Sequence, residues 1–448
     1  MPPIIATFLY ISFILYLFIS DYRNGRKASK SLWIPLIWVL IVASKPVSFW
    51  FDGGVKIQTA SDYLEGSPMD RNVFLVLILA ALGIVVRRQI SWRELASRNA
   101  VLVLFVMYCG LSVLWSDYPE LSFKRWIKQV GSVLMVLVVL SEPEPERAII
   151  ALFKRVTFLL MPLSILFIKY YPDIGRGQVV TIWETSYLGI TENKNSLGAL
   201  CFVLGMFFVW RFVVARSQKS YFANKEQTVS HLVLGLMISW LFWIADSATS
   251  LVCLAVGSSV IMGFRILRDN YVSIGRYVAI TCVIVMSVMA IPEAPASLFQ
   301  LLGRDVTLTG RTNIWSQVLE VEINPLVGTG YESFWMGERV AWFWEKYAFK
   351  ITQSHNGYIE IYLNLGVIGL LLFGGIIVST YRSIGRQLGP CCDLSTFRLA
   401  VLITFVLSNI TEAGIKSTSL MWFLFLLIAL EFPISQERKV AGPAIPQR

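Results

Sequence analysis

The sequence predicts an all-α polytopic integral membrane protein of about 12–13 transmembrane helices, with one large extramembrane loop containing short helices. Three observations carry this. The chain is 56% hydrophobic and only 15% charged, with mean hydropathy +0.63, where a soluble domain carries about 25% charged residues. Apolar stretches near the ~20 residues needed to cross a bilayer recur along its whole length. Lysine and arginine fall in short clusters between those stretches, as the positive-inside bias requires. The formal charge of +10 therefore reports orientation, and a nucleic-acid partner is excluded.

The elements follow in order. Segment 1 is Pro3 to Ser20, with Arg23, Arg26, Lys27 and Lys30 inside. Its flank has neither a basic n-region nor a small-residue cleavage site, so it reads as a retained helix. Segment 2 is Leu32 to Lys45. The polar stretch Pro46 to Arg71 lies outside, and segment 3 (Val73 to Val86) returns to Arg87, Arg88, Arg93 and Arg98. Segment 4 (Ala100 to Trp115) and segment 5 (ending at Leu140) flank the outer turn Ser116 to Glu120. Segment 6 (Val156 to Tyr171) follows Arg147, Lys154 and Arg155. An outer loop, Pro172 to Asn195, leads to segment 7, Ser196 to Val214. Segments 8 (Leu232 to Ile244) and 9 (Leu251 to Phe264) form a hairpin around Asp246. Segment 10 is Tyr277 to Ile291. Segments 11 (Tyr358 to Thr380), 12 (Leu399 to Ile410) and 13 (Ser419 to Phe432) close the chain. Segments 2, 3, 8 and 12 are short, which keeps twelve as the alternative count. The division is an N-terminal bundle 1–291, a large outer loop 292–355, C-terminal helices 356–433 and a cytoplasmic tail 434–448.

The cysteines give no framework. Cys109, Cys201, Cys253 and Cys282 sit in apolar segments, and Cys391 and Cys392 lie in a short basic inner loop, so neither disulfides nor a zinc site is expected. With only His231 and His355 available, a histidine-rich metal centre is excluded.

The informative stretch is Gly303 to Gly366. It contains Gly310-Arg311-Thr312-Asn313-Ile314-Trp315, then Asn324-Pro325-Leu326-Val327-Gly328-Thr329-Gly330-Tyr331, then His355-Asn356-Gly357-Tyr358. These phrases resemble the O-antigen ligase and polymerase superfamily, and Thr307 to Thr312 resembles its exopolysaccharide-production (ExoQ-like) branch. Trp115-Ser116-Asp117, Glu192 to Gly198 and Asn409-Ile410-Thr411-Glu412 agree. One departure is Asn193, where family members often have histidine. The resemblance implies a bacterial inner-membrane glycosyltransferase, inverting, metal-independent and without cofactor. It would take a glycan from undecaprenyl diphosphate at the periplasmic face, with the large loop in the periplasm and the C-terminus in the cytoplasm. The implied act is polymerisation of lipid-linked repeat units. The alternatives are ligation to lipid A core, or a lipid-linked sugar flippase or transporter. Other polysaccharide export proteins are the implied partners, besides the bilayer.

Such a transfer needs cations for the diphosphate leaving group and a group that takes the acceptor hydroxyl proton. Arginine grips phosphate oxygens with a planar fork. Arg311 is the first candidate, followed by Arg304, Lys194 and Arg176, all placed outside by the charge bias. His355, the one outer histidine in this topology, precedes segment 11, and a helix N-terminus favours a neutral imidazole able to accept a proton. Asn356 beside it, Glu360 and Glu412 are candidate supporting groups. Glu360 lies five residues after His355 and so on another helical face, which favours a structural pairing with a loop arginine. Asp117 and Asp246 read as turn-capping acids. Trp335, Trp342 and Trp344 suit either sugar stacking or a helix lying on the membrane surface.

Overall fold

A computed structural model describes residues 1–24, 29–53, 66–179, 184–217, 225–266, 311–347, 350–387 and 392–433. Each expected segment coincides with a helix, apart from the tenth, which lies outside the described residues. The helices are α1 (Pro3–Asn24), α2 (Trp33–Val42), the short α3 (Val47–Asp52), α4 (Pro68–Arg87), α5 (Trp92–Arg98), α6 (Ala100–Leu111), α7 (Pro119–Leu140) and α8 (Pro145–Tyr170). A two-stranded antiparallel hairpin, Arg176–Val179 with Glu184–Tyr187, separates α8 from the next long helix. Then come α9 (Lys194–Ser217), α10 (Lys225–Ala245), α11 (Ala248–Ile266), α12 (Arg311–Glu320), α13 (Gly337–Lys346), α14 (Gly357–Gln387), α15 (Cys392–Thr411) and α16 (Leu420–Ala429). Among the described residues seven helices are long and apolar enough to cross a membrane, or eight if the bent α5–α6 pair is one span. The protein is an all-α multi-pass membrane protein.

The helices share one apolar core running from Leu32 to Leu430. Within it α7 is central. Pro119 opens it where a missing N–H costs nothing. Its first half carries Lys124, Arg125 and Lys128, and its second half, Leu134 to Leu140, is buried apolar surface. The charged half faces the large loop. That loop has a small core of its own, Ile314, Val318, Phe334, Trp335, Phe343 and Ile351, which docks on Leu363 of α14.

The helix α14 is broken at Gly366, whose φ of 64° lies in the left-handed region. A break at membrane depth leaves backbone groups that lipid cannot satisfy, so protein must do so. The loop Asn324 to Gly330 does this on both sides. The N–H groups of Thr329 and Gly330 donate to the carbonyls of Leu363 and Asn364 at 3.0 and 2.9 Å. The N–H groups of Val367 and Ile368 donate to Pro325 and Leu326 at 2.9 and 3.2 Å. An added Cβ on Gly366 would lie 2.2 Å from the Leu326 backbone, so only glycine gives both the angle and the room. The turn after α6 joins the same junction. Trp115 donates its indole N–H to Val327 O at 3.2 Å, and Asp117 N–H reaches Thr329 O at 3.2 Å. Two phrases far apart in sequence are thus one clasp.

Candidate active site

At the start of α14, Asn356 is the N-cap. Its side-chain oxygen accepts from Tyr358 N and Ile359 N at 2.9 and 3.1 Å. His355 stands just outside the helix with φ 56°. Its Nδ1 lies 3.6 Å from Glu412 Oε2. Glu412 follows the last turn of α15, and its Oε1 accepts from Arg311 Nη2 at 2.7 Å. Arg311 is the first residue of α12. Three elements therefore meet in the sequence Arg311–Glu412–His355. Close helix contact fixes the geometry: a Cβ on Gly357 would sit 2.2 Å from Asn409 Oδ1, an atom that accepts from Gly414 N at 2.9 Å.

Burial alone would raise the Glu412 carboxyl, but His355 and Arg311 beside it outweigh burial and hold it below the usual carboxylate range. A carboxyl lowered in the folded state stabilises the fold above its unfolded value of about 4.3. That stabilisation is lost as pH falls through the folded value. Thermal melts between about pH 5 and pH 3 are therefore expected to fall more steeply for the wild type than for Glu412→Gln. Parallel slopes would contradict the assignment.

Behind this cluster lies a cavity of about 700 Å³. Its polar wall holds Arg125 and Lys128 of α7, Lys350 and Lys416 of the loops, and the carboxylates Asp70, Glu192, Glu332 and Glu360. Its apolar wall is built by Ile41, Val42, Phe74, Phe105, Ile361 and Leu365. Most of the acids are already engaged. Asp70 accepts from Ser48 Oγ at 2.6 Å. Glu332 accepts from Ser417 N at 2.8 Å and lies 3.9 Å from Arg125 Nε. Glu360 accepts from Trp335 Nε1 at 2.9 and 3.1 Å and from the Ser354 N–H. Lys128 lies 5.1 Å from the Phe74 ring centroid. The cluster and the cavity are bridged side by side: Lys416 Nζ donates to Gln353 Oε1 at 2.9 Å, and Gln353 Nε2 lies 3.3 Å from His355 Nδ1.

Among the residues singled out in the sequence, Arg311, His355, Glu412 and Asn356 come together here. Glu360 lies in the cavity wall instead, and among the described residues its partners are Trp335 and Ser354 rather than an arginine. A buried carboxylate needs donors, and an indole with a backbone N–H supplies them. Arg176 is exposed on the hairpin and donates to Ile168 O at 2.8 Å. Lys194 opens α9, capped by Asn193, whose Oδ1 accepts from Ser196 N at 2.9 Å. Asn193 thus serves here as a helix cap. Asp117 pairs with Arg339. Trp335 and Trp344 line the cavity, whereas Trp342 is 47% exposed. Arg304 lies outside the described residues. Sequence reasoning missed Arg125, Lys128, Lys350 and Lys416 as one group. The available signal was Arg125 and Lys128 leading into an apolar helix three residues apart, since cations at membrane depth mark function or pairing.

The fold and the cluster define a multi-pass helical membrane protein whose outsized loop assembles a charged site against a broken helix. The model of the O-antigen ligase family matches residues 179–374. The exopolysaccharide production protein ExoQ of Rhizobium meliloti is 25% identical over 290 residues, 62% of this chain and 63% of that protein. The protein named "Putative polysaccharide ligase" of Rickettsia conorii is 24% identical over 305 residues, 66% of this chain and 70% of that protein. A second protein named as a "Putative polysaccharide ligase", from Rickettsia typhi, is 21% identical over 311 residues, 68% of this chain and 72% of that protein. The chain is thus similar to the O-antigen ligase family over its central part and to ExoQ over a longer stretch. It spans somewhat less than two thirds of the Rhizobium protein.

Proposed function

We propose that the protein polymerises undecaprenyl-diphosphate-linked oligosaccharide repeat units in exopolysaccharide biosynthesis, at the periplasmic face of the bacterial inner membrane. The observation that carries this reading is the Arg311–Glu412–His355 cluster beside a cavity with four cations and two tryptophans. The attacking group is an acceptor sugar hydroxyl, and the group displaced from the anomeric carbon is the lipid diphosphate, so configuration inverts in one step. His355 takes the hydroxyl proton. Glu412 orients the ring and offsets the imidazolium charge that results. Arg311 spends one of its five donors on Glu412 and offers the rest to phosphate oxygens. Trp344, only partly buried, supplies a flat face for a sugar ring.

The polymer made by a strain lacking the gene tests this reading. Single repeat units that never lengthen are the expected product. Full-length chains that stay unattached to their final acceptor would point to a ligase. Unchanged polymer would overturn both.

A further inference from the structure

Of the carboxylates in the cavity wall, Asp70, Glu332 and Glu360 are held by donors of the protein, and Glu192 remains. Among the described residues Glu192 has neither a hydrogen bond nor an ion pair. Its place is nevertheless fixed. Thr191 before it is buried and donates to Leu188 O and Asn193 O at 2.7 and 3.0 Å. Asn193 after it caps α9. Ile190 O accepts from Lys45 N at 3.0 Å, which ties the turn to the end of α2. The cations whose charges reach Glu192 have other partners: the Lys45 ammonium donates to Ile174 O at 2.6 Å, and the Lys416 ammonium to Gln353 Oε1 at 2.9 Å. The side chain of Glu192 is open to the cavity, yet the protein packed around it pushes its carboxyl above the ordinary range, against the pull of Lys416 and Lys45 and with a push from Asp70.

A carboxylate offers about four lone-pair sites, and here they await donors that a ligand brings. Those donors must be neutral. A cation would meet Lys45 and Lys416 near Glu192, and Arg125, Lys128 and Lys350 elsewhere in the same wall. Sugar hydroxyls are neutral donors, and two on adjacent carbons match the two oxygens of one carboxylate. Trp344 in the same wall offers a ring face to the sugar. Lys416 relates this carboxylate to the cluster, because its partner Gln353 lies 3.3 Å from His355 Nδ1. A sugar held at Glu192 therefore lies on the cavity side of His355. We infer that Glu192 is a specificity-determining residue that holds the acceptor sugar, its carboxylate accepting from two adjacent hydroxyls of a neutral ring. This rests on the glycan-transfer reading and names the acceptor chemistry for it. The bound hydroxyls keep their protons; the hydroxyl that attacks is a different one, facing His355.

A binding role and a structural role differ in sign. A carboxyl pushed up by its surroundings costs the folded protein stability at neutral pH, where it is ionised. Glutamine removes that cost, and no hydrogen bond to a described residue goes with it. Full-length Glu192→Gln protein in nanodiscs is therefore expected to melt no lower than wild type at about pH 7. It is also expected to bind saccharide about 10-fold more weakly or worse, as befits the loss of hydrogen bonds to a charged group. The probe is the free repeat-unit oligosaccharide released from the organism's own polymer, titrated and followed by saturation-transfer NMR. The same oligosaccharide after mild periodate cleavage of its adjacent diols is expected to bind both proteins equally, at the variant's weak level. Failure of the wild type to bind the intact oligosaccharide overturns the inference, as does binding by Glu192→Gln within a factor of about two of wild type. So does a variant that melts lower than wild type, or a cleaved saccharide that still prefers the wild type. Neither readout needs turnover. Failure of the glycan-transfer reading would show instead as absent joined product from a protein that still binds the saccharide through Glu192.

Discussion

Replacing His355 by alanine is expected to slow glycan transfer by about 10²–10⁴-fold, the usual contribution of a positioned general base. Retention of the lipid diphosphate should be little changed, because Arg311 and the cavity cations remain. Arg311→Ala is a different experiment. It removes a phosphate ligand and also leaves Glu412, whose oxygen it meets at 2.7 Å, without its guanidinium partner. Arg311→Lys separates the two effects, since it keeps the charge beside Glu412 but lacks the planar fork. A lysine variant that stays folded yet binds lipid diphosphate poorly would locate the loss in phosphate recognition. Transfer rates of His355→Ala within a factor of about two of wild type would remove the histidine from the chemistry.

The largest structural effect is expected at Gly366. Gly366→Ala must hold a side chain at φ 64° and place its Cβ 2.2 Å from the Leu326 backbone. Strain of this kind and overpacking together cost about 3 kcal/mol or more. The four backbone hydrogen bonds that tie the loop to both halves of α14 would go with it. The expected outcome is a sharply lower yield of folded protein and a lower melting temperature in detergent. Gly374→Ala, farther along the same helix and with nothing within 4 Å of the added carbon, is the control and should be neutral or slightly stabilising. Equal melting temperatures for the two variants would show that the clasp does not hold the broken helix.

How much of this was legible in the sequence depends on the kind of signal. The helices were, because a membrane span writes itself as local apolar length and the loops write themselves as basic clusters. The break in α14 was not. Gly366 reads as an ordinary glycine in an apolar run, and its meaning depends on Leu326, forty residues earlier. Arg311 stands out in the sequence as an arginine of the large outer loop, and His355 as the histidine just before a membrane helix. Their meeting through Glu412 could not be read, since it needs the starts of α12 and α14 and the end of α15 at one point. Glu360 reads as a paired acid, and among the described residues its partners are an indole and a backbone N–H rather than an arginine. Spacing shows which helix face a carboxylate occupies, and only packing shows that Trp335 fills the space before it. Lys416 looked like a turn residue, and its place in the cavity wall is purely tertiary.

The most direct test of the proposed chemistry uses purified protein in nanodiscs with a synthetic lipid-diphosphate oligosaccharide, and follows the length of the saccharide on the lipid. Wild-type protein is expected to build a ladder of joined repeats, and correctly folded Arg311→Ala and His355→Ala proteins to leave single repeats. Movement of the lipid across the bilayer without joining, or a full ladder from both variants, would contradict a glycan-transfer site at Arg311 and His355.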